Sequence, residues 1–397
     1  MRLRVGIFLV LVVAGLAAWN YLRPIPAVAA TGSVAATETT PGTAPALPWP
    51  NRGSAAVGVQ GLGFIANSGN EQAIPAASVT KVMTALVVLV DKPLKKGEAG
   101  PTITLTQADV QGYEADFANK ESVVEVRAGE QLSELQLLEG MLIPSANNMA
   151  ETLARWDAGS VDEFVIKMNK SAADLNLTHT KFADVSGANP GSVSTPSDLM
   201  VLGVKAMQQE VFKQVVAMGQ VVLPVSGIAY NVNRVLGQSG IIGMKTGSGF
   251  STGANFLFAA DVAVDGKTIT VYGCVMGQLT LDTAFASAQG LIGSMQTALH
   301  IRREITRNQT IATYVTPWGA QSDLISPVDV DLVEWPGMVL RQHLVTNPIT
   351  LDKPLPANTR EGNVHMVLGD YNFDVSLVTA DPLYPPGRLW RLTRLSF

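Results

Sequence analysis

One cysteine, Cys274, stands in a chain of 397 residues. It excludes an intrachain disulfide, so the chain must hold itself together by its core. The four histidines, His179, His300, His343 and His365, are scattered. Together with the one cysteine they offer no metal-ligand spacing, and no metal or other cofactor is expected. Charge is sparse at 15%, with a formal net charge of -5. A weakly acidic chain without a basic patch is a poor nucleic-acid binder. No internal repeat is evident. Apolar material is abundant at 47%. That is enough for a large core and too much for a disordered chain. The length exceeds one ordinary domain.

A long uncharged run opens the chain. After the basic MRLR, residues Val5 to Trp19 carry no charge. About 15 residues suits a signal-peptide core, whereas a spanning helix usually needs about 20. Two readings stay open. Cleavage could follow Ala27-Val28-Ala29, an A-x-A sequence. Alternatively Asn20 to Leu22 extend the helix, Trp19 and Tyr21 sit at the interface, and the segment stays as an anchor with Arg2 and Arg4 inside. Either reading exports the rest of the chain, to the outer face of the cytoplasmic membrane or beyond it. Residues 1–23 form this segment. Residues 24–51, rich in Ala, Thr, Pro and Gly with one charge, Glu38, read as a flexible linker.

Residues 52–305 read as one mixed domain. AAVGVQGLGFI suggests one or two strands. A polar, irregular stretch is expected up to about Gly129. Ser133 and Ser160 each open a capping-box pattern, and Thr195-Pro196 places a cap before an N1 proline. GIIGMKTGSG, NFLFAADVAV and KTITVYGCVMG then read as strands with an Asp265-Gly266 turn. A last helix is expected from about Leu281 to Arg303. Residues 306–397 alternate β-formers between turn residues and read as a small all-β domain. The fold class is therefore α+β.

Three short motifs carry chemistry. SVTKVMTALVVLV is apolar nearly all round, which suits a buried helix. Ser78 and Lys81 share a face at i and i+3, at the dipole-positive end. A serine hydroxyl needs an adjacent base, and a desolvated lysine can be one. Alone, the pair is a weak signal and reads more readily as an N-cap serine with a snorkelling lysine. PSANNMAE places Ser145 and Asn147 on a turn between two helices, where they suit proton relay and peptide recognition. A simple helix cap is the alternative. GMKTGSG places Lys245 and Thr246 on a strand, a pairing that suits a carboxylate. Gly247 admits a close backbone approach, and the Ser248 amide could join the Ser78 amide in an oxyanion hole. A solvated surface lysine is the alternative there.

The ordered set SVTK, SAN and KTG resembles the penicillin-binding proteins and serine β-lactamases. It is most similar to low-molecular-mass D-alanyl-D-alanine carboxypeptidases of the DacA type. IPAASVTKVMTALV, FADVSGANPGSVSTPSDLMVLG and NVNRVLGQSGIIGMKTG extend the resemblance, and PANTREGNVHMVLGDYNFDVSLVTADPL resembles the family's β-rich C-terminal domain more loosely. The resemblance implies a β-lactamase/transpeptidase-like catalytic domain, an antiparallel sheet with helices, followed by a small all-β domain. It implies removal of the last D-Ala from peptidoglycan stem pentapeptides through an acyl-serine, with β-lactams as inhibitors. Ser78 would be the nucleophile, Lys81 its base and Ser145 a proton relay. Asn147 would bind the peptide, and Lys245, Thr246, Gly247 and Ser248 would form the carboxylate and oxyanion side.

Three departures stand out. Gln107 to Ala128 follows the pattern only loosely. Asn148 replaces the acidic residue that often follows S-x-N. In GRLWRLTRLSF the arginines do not fall on one face, so a final β-strand is expected as readily as a membrane helix. A class A β-lactamase would add a glutamate within E-x-x-L-N after S-x-N, and only Asp174-Leu175-Asn176 echoes it. A tethered scaffold on the same fold would have lost a motif residue, and none is lost.

Overall fold

The computed structural model describes residues 2–249 and 252–394. The chain divides into two compact units, one of residues 44–299 and one that joins residues 1–43 to 300–397.

Residues 44–299 are built on a five-stranded antiparallel sheet. Its order is Ile241–Gly249, Gly253–Val264, Lys267–Gln278, Ser54–Val59, Gly63–Asn67. The Asp265-Gly266 turn places both residues at positive φ, the geometry of a tight hairpin. Consecutive residues of the second strand serve opposite faces. Phe256 meets Phe285 edge-on at 4.9 Å. Leu257 packs at Gly203, where an added Cβ would lie 3.0 Å from its Cδ1. The sheet is thus covered on both faces, which explains why its strands read as near-continuous apolar runs rather than alternating ones.

The helices lie in chain order. α1 is Arg2–Leu22 and α2 is Lys81–Asp91. α3 is Gln107–Ala118, α4 Glu134–Leu142, α5 Asn147–Ala158 and α6 Val161–Asp174. α7 is Pro196–Ala206, α8 Glu210–Val216, α9 Leu281–Ala298 and α10 Arg388–Thr393. Phe285 belongs to α9 and Gly203 to α7. α2 packs against α4, α5, α6 and α7 and is buried from Lys81 to Leu89. That all-round burial is what its uninterrupted apolar sequence requires. Caps form at the expected places. Ser133 Oγ accepts from Gln136 N at 3.2 Å, Ser160 Oγ from Glu163 N at 3.1 Å and Thr195 Oγ1 from Asp198 N at 3.2 Å.

The other unit is a seven-stranded antiparallel sheet ordered Ala30–Gly32, Thr310–Val315, Gln321–Ile325, Tyr371–Thr379, Arg360–Leu368, Val339–Thr346, Thr37–Thr39. A separate pair, His300–Ile305 with Val330–Glu334, completes it.

Four expectations are corrected here. Residues 24–51 are not a flexible linker throughout, because both edge strands of the seven-stranded sheet come from them. Three-residue edge strands need only backbone partners, so weak composition hid them. The one charge, Glu38, joins Arg302 at 2.8 Å in a cluster with Glu304 and Glu334. The boundary at 305/306 moves to 299/300, since α9 ends at Ala298 and His300–Ile305 is a strand of the β-rich unit. The stretch before Gly129 contains α3, which has no apolar stripe. It is started instead by Thr106 N donating to Asp109 Oδ2 at 2.7 Å and tied down by Arg155 on Asp109 at 2.9 Å. Finally, residues 388–393 of the C-terminal sequence are helical rather than a strand, and Leu395 to Phe397 lie outside the described residues.

Candidate active site

Ser78 lies in a 3-10 turn, Ala77–Thr80, that runs directly into α2. The turn is held from three sides. Asn255 Nδ2 donates to the carbonyls of Pro75 and Ala76, both at 3.0 Å, while its Oδ1 accepts from Gly277 N at 2.9 Å. Gly247 presses on it from the neighbouring strand, where an added Cβ would lie 2.9 Å from Ala76 O and 3.0 Å from Ser78 N. Gly187, at φ +83°, packs so closely that a Cβ would lie 1.8 Å from Ala77 O. Ala77 itself has φ 48° and Ser145 has φ 69°. A left-handed conformation costs a non-glycine residue roughly 1–2 kcal/mol, so each must be fixed by its surroundings.

The structure gathers Ser78, Asn147 and Ser145 around two buried lysines, Lys81 and Lys245, with Thr246 and Gly247 next to Lys245 on its strand. Lys81 Nζ is 2.8 Å from Ser78 Oγ, 2.7 Å from Asn147 Oδ1 and 2.9 Å from the Ser186 carbonyl. It is 0% exposed. Burial lowers its pKa to about 7, against the opposing pull of Asp184, Glu121 and Asp116. In the neutral amine two N–H groups suffice for Asn147 and Ser186. The lone pair then faces the Ser78 hydroxyl, which becomes the donor. This is the arrangement of a general base on a nucleophile.

Lys245, 1% exposed, forms the second node. Its Nζ donates to Ser145 Oγ at 2.8 Å and to the Thr246 carbonyl at 3.0 Å. Burial, and secondarily the neighbouring Lys81, holds its pKa well below the usual lysine range. Thr246 is buried and Ser248 is exposed at the end of the same strand. Lys245 thus touches Ser145 directly, a contact that sequence reading did not anticipate.

Other contributors were also missed. Asp184 Oδ2 accepts from Ser186 N and Oγ, Gly187 N, Ala188 N and Asn189 N at 2.8–3.3 Å, and Oδ1 accepts from Ser192 Oγ at 2.5 Å. This hub shapes the loop whose Ser186 carbonyl meets Lys81. Thr84 Oγ1 anchors the same loop on the Val185 carbonyl at 2.7 Å. Glu121 Oε2 accepts from Asn147 Nδ2 at 3.3 Å. Asn148, the departure from the acidic pattern, brackets Val124 through its N–H and carbonyl at 3.2 and 2.9 Å. It secures the backbone behind Asn147 N, which donates to Ser122 O at 2.7 Å. Two signals were available. An amide inside an apolar strand, Asn255, and an aspartate just before a Ser-Gly turn, Asp184, both ask for backbone partners.

The D-alanyl-D-alanine carboxypeptidase model of peptidase family S11 matches residues 62–280. A D-alanyl-D-alanine carboxypeptidase of Streptomyces sp. strain K15 is 32% identical over 269 residues, 61% of this chain and 86% of that protein. The crystal structure of the Streptomyces K15 DD-transpeptidase superposes with a TM-score of 0.55 at 27% identity, covering 64% of this chain and 98% of that one. Penicillin-binding protein 5 of Haemophilus influenzae, at 19% identity, gives a TM-score of 0.62 over 87% of this chain and 100% of its own. That last likeness shows a shared fold only.

Proposed function

The chain belongs to the D-alanyl-D-alanine carboxypeptidase family and is a serine-type peptidase of the cell wall, and from that premise we propose that Ser78 attacks, with Lys81 as its base. The observation that carries the assignment is the Lys81 node: a fully buried amine, 2.8 Å from a serine hydroxyl, with a pKa near 7. A lysine at its ordinary pKa would be a poor base at neutral pH.

The substrate class is the peptidoglycan stem peptide ending in D-Ala-D-Ala. Ser78 Oγ adds to the carbonyl of the penultimate D-Ala and passes its proton to Lys81. The amides of Ser78 and Ser248 receive the oxyanion. The bond to the terminal D-Ala then breaks, and its nitrogen gains a proton through Ser145. The left-handed backbone and the Lys245 contact fix the position of that hydroxyl. Asn147 orients the peptide while its Oδ1 holds Lys81. Lys245 places a latent positive charge behind Ser145 and Thr246, where the substrate's terminal carboxylate docks. Water then cleaves the ester. The K15 relative is named both a carboxypeptidase and a DD-transpeptidase, so water competes with amine acceptors for the same acyl-enzyme. β-Lactams enter as mimics of the D-Ala-D-Ala terminus. The chemistry takes place outside the cytoplasm, where peptidoglycan lies.

Release of D-alanine from a synthetic peptide ending in D-Ala-D-Ala tests the proposal. Wild type should release one D-alanine per peptide and Ser78→Ala none. Release by folded Ser78→Ala at the wild-type rate would place the nucleophile elsewhere.

A further inference from the structure

The stretch from Gln107 to Ala128, which follows the family pattern only loosely, ends on the active site. α3 stops in a Schellman turn. Lys120 takes a left-handed φ of 59°, its N donates to the Phe117 carbonyl at 3.0 Å, and Glu121 N donates to the Asp116 carbonyl at 2.9 Å. The next carbonyl, that of Ser122, accepts from Asn147 N at 2.7 Å, and Glu121 Oε2 accepts from Asn147 Nδ2 at 3.3 Å. One short turn thus grips Asn147 by its main chain and by its side chain. The start of α3 is pinned to the helix that Asn147 opens. Asp109 Oδ1 accepts from Thr152 Oγ1 at 2.7 Å and from Arg155 at 2.9 Å, both on α5.

The Asn147 amide matters for the direction of a proton. The two ends of a carboxamide are nearly the same size, so its hydrogen-bond partners decide which end faces where. Here Oδ1 faces Lys81 Nζ at 2.7 Å. A neutral amine has two N–H groups and one lone pair. The Ser186 carbonyl can only accept, and it takes one N–H at 2.9 Å. With Oδ1 taking the other, the lone pair is left for the Ser78 hydroxyl, 2.8 Å away. A reversed amide would place Nδ2 on that lone pair. The second N–H of Lys81 would then point at Ser78 Oγ, and the amine could not receive the serine proton. An ionised carboxylate can only accept, so Glu121 favours the productive orientation.

We propose that Glu121 is a positioning residue: by accepting from Asn147 Nδ2 it keeps Oδ1 on Lys81 and so reserves the Lys81 lone pair for Ser78. α3 and its Schellman turn are the support that delivers this carboxylate. Glu121 is itself exposed, so replacing its side chain removes nothing from the core.

This inference rests on the proposed roles of Ser78 and Lys81. Its test is the rate of benzylpenicillin acylation of the full chain, measured across pH. Glu121→Ala should lower the plateau rate roughly tenfold, as for a lost charged hydrogen bond. In an Asn147→Ala background the same change should alter the rate less than about twofold, because there is no amide left to orient. Glu121→Gln still offers an acceptor and should recover most of the plateau. Its acidic limb should move to lower pH, since one negative charge facing Lys81 is gone while Asp184, Asp116 and Lys245 remain. A Glu121→Ala loss below about threefold, an equal loss with and without the Asn147 amide, or a Glu121→Gln plateau as low as that of Glu121→Ala would each overturn the proposal. Acylation of Ser78→Ala would instead overturn the assignment of the nucleophile, so the two failures are distinct.

Discussion

Lys81 and Lys245 are both fully buried and both are pushed below the lysine range by the same cause, yet their surroundings differ. Lys81 has three hydrogen-bond partners within 2.9 Å and feels the carboxylates of Asp184, Glu121 and Asp116. Lys245 has two acceptors, and the charge it feels is the like charge of Lys81. Burial disfavours the charge on both amines. The carboxylates bring Lys81 back to about 7, where it is shared between base and conjugate acid at neutral pH. At Lys245 the like charge of Lys81 adds to the effect of burial, and an arriving carboxylate would favour its charged form. On the proposed mechanism one desolvated residue type serves two ends of one reaction, and neighbouring charge decides which.

Exchanging the nodes one at a time should break this symmetry. Lys81→Met should give the largest loss, about 10²–10⁴-fold in the rate of penicillin acylation, as expected for removing a general base. Stopped-flow or quenched acylation measures it, and a loss below tenfold would contradict the role. Lys245→Met should cost roughly 10–100-fold, the worth of a charged hydrogen bond. The loss should fall mainly on KM for carboxylate-terminated peptides and be much smaller for the corresponding amides. Equal losses for both would remove Lys245 from carboxylate recognition.

The acidic limb of the pH profile sharpens the comparison further. Lys81 must lose its proton to act, so acylation should rise with pH through about 7 in the wild type. Asp184→Asn keeps a hydrogen-bonding group at the hub and removes the negative charge that raises the Lys81 pKa. The limb should therefore move to lower pH, by about one unit, with Glu121, Asp116 and Lys245 still facing Lys81. Asp184→Ala should instead lower the rate across the whole profile, because the Ser186 carbonyl loses its support. A limb unmoved in Asp184→Asn would mean that Asp184 acts on the loop alone.

Much of this site was legible before any coordinates. Ser78, Lys81, Ser145, Asn147, Lys245 and Thr246 stand out because the chemistry confines each to a narrow choice of side chain within short motifs. The Asp265-Gly266 turn and the caps at Ser133, Ser160 and Thr195 were legible for the same local reason. What escaped depends on contacts far apart in sequence. Asp184 and Asn255 hold backbone groups that no motif announces. The pairing of Lys245 with Ser145 joins residues 100 positions apart. α3 lacks an apolar stripe and relies on Asp109 and Arg155. The strands at 30–32 and 37–39 take their stability from partners near the other end of the chain, so local composition could not reveal them.

Intact-protein mass spectrometry with excess benzylpenicillin, followed over time beside Ser78→Ala, tests the central claim most directly. The account predicts a lasting one-to-one adduct on the wild type, mapped to the peptide that contains Ser78, and none on Ser78→Ala. An adduct on Ser78→Ala would contradict it. So would a folded wild type that forms no adduct and leaves D-Ala-D-Ala peptides uncut.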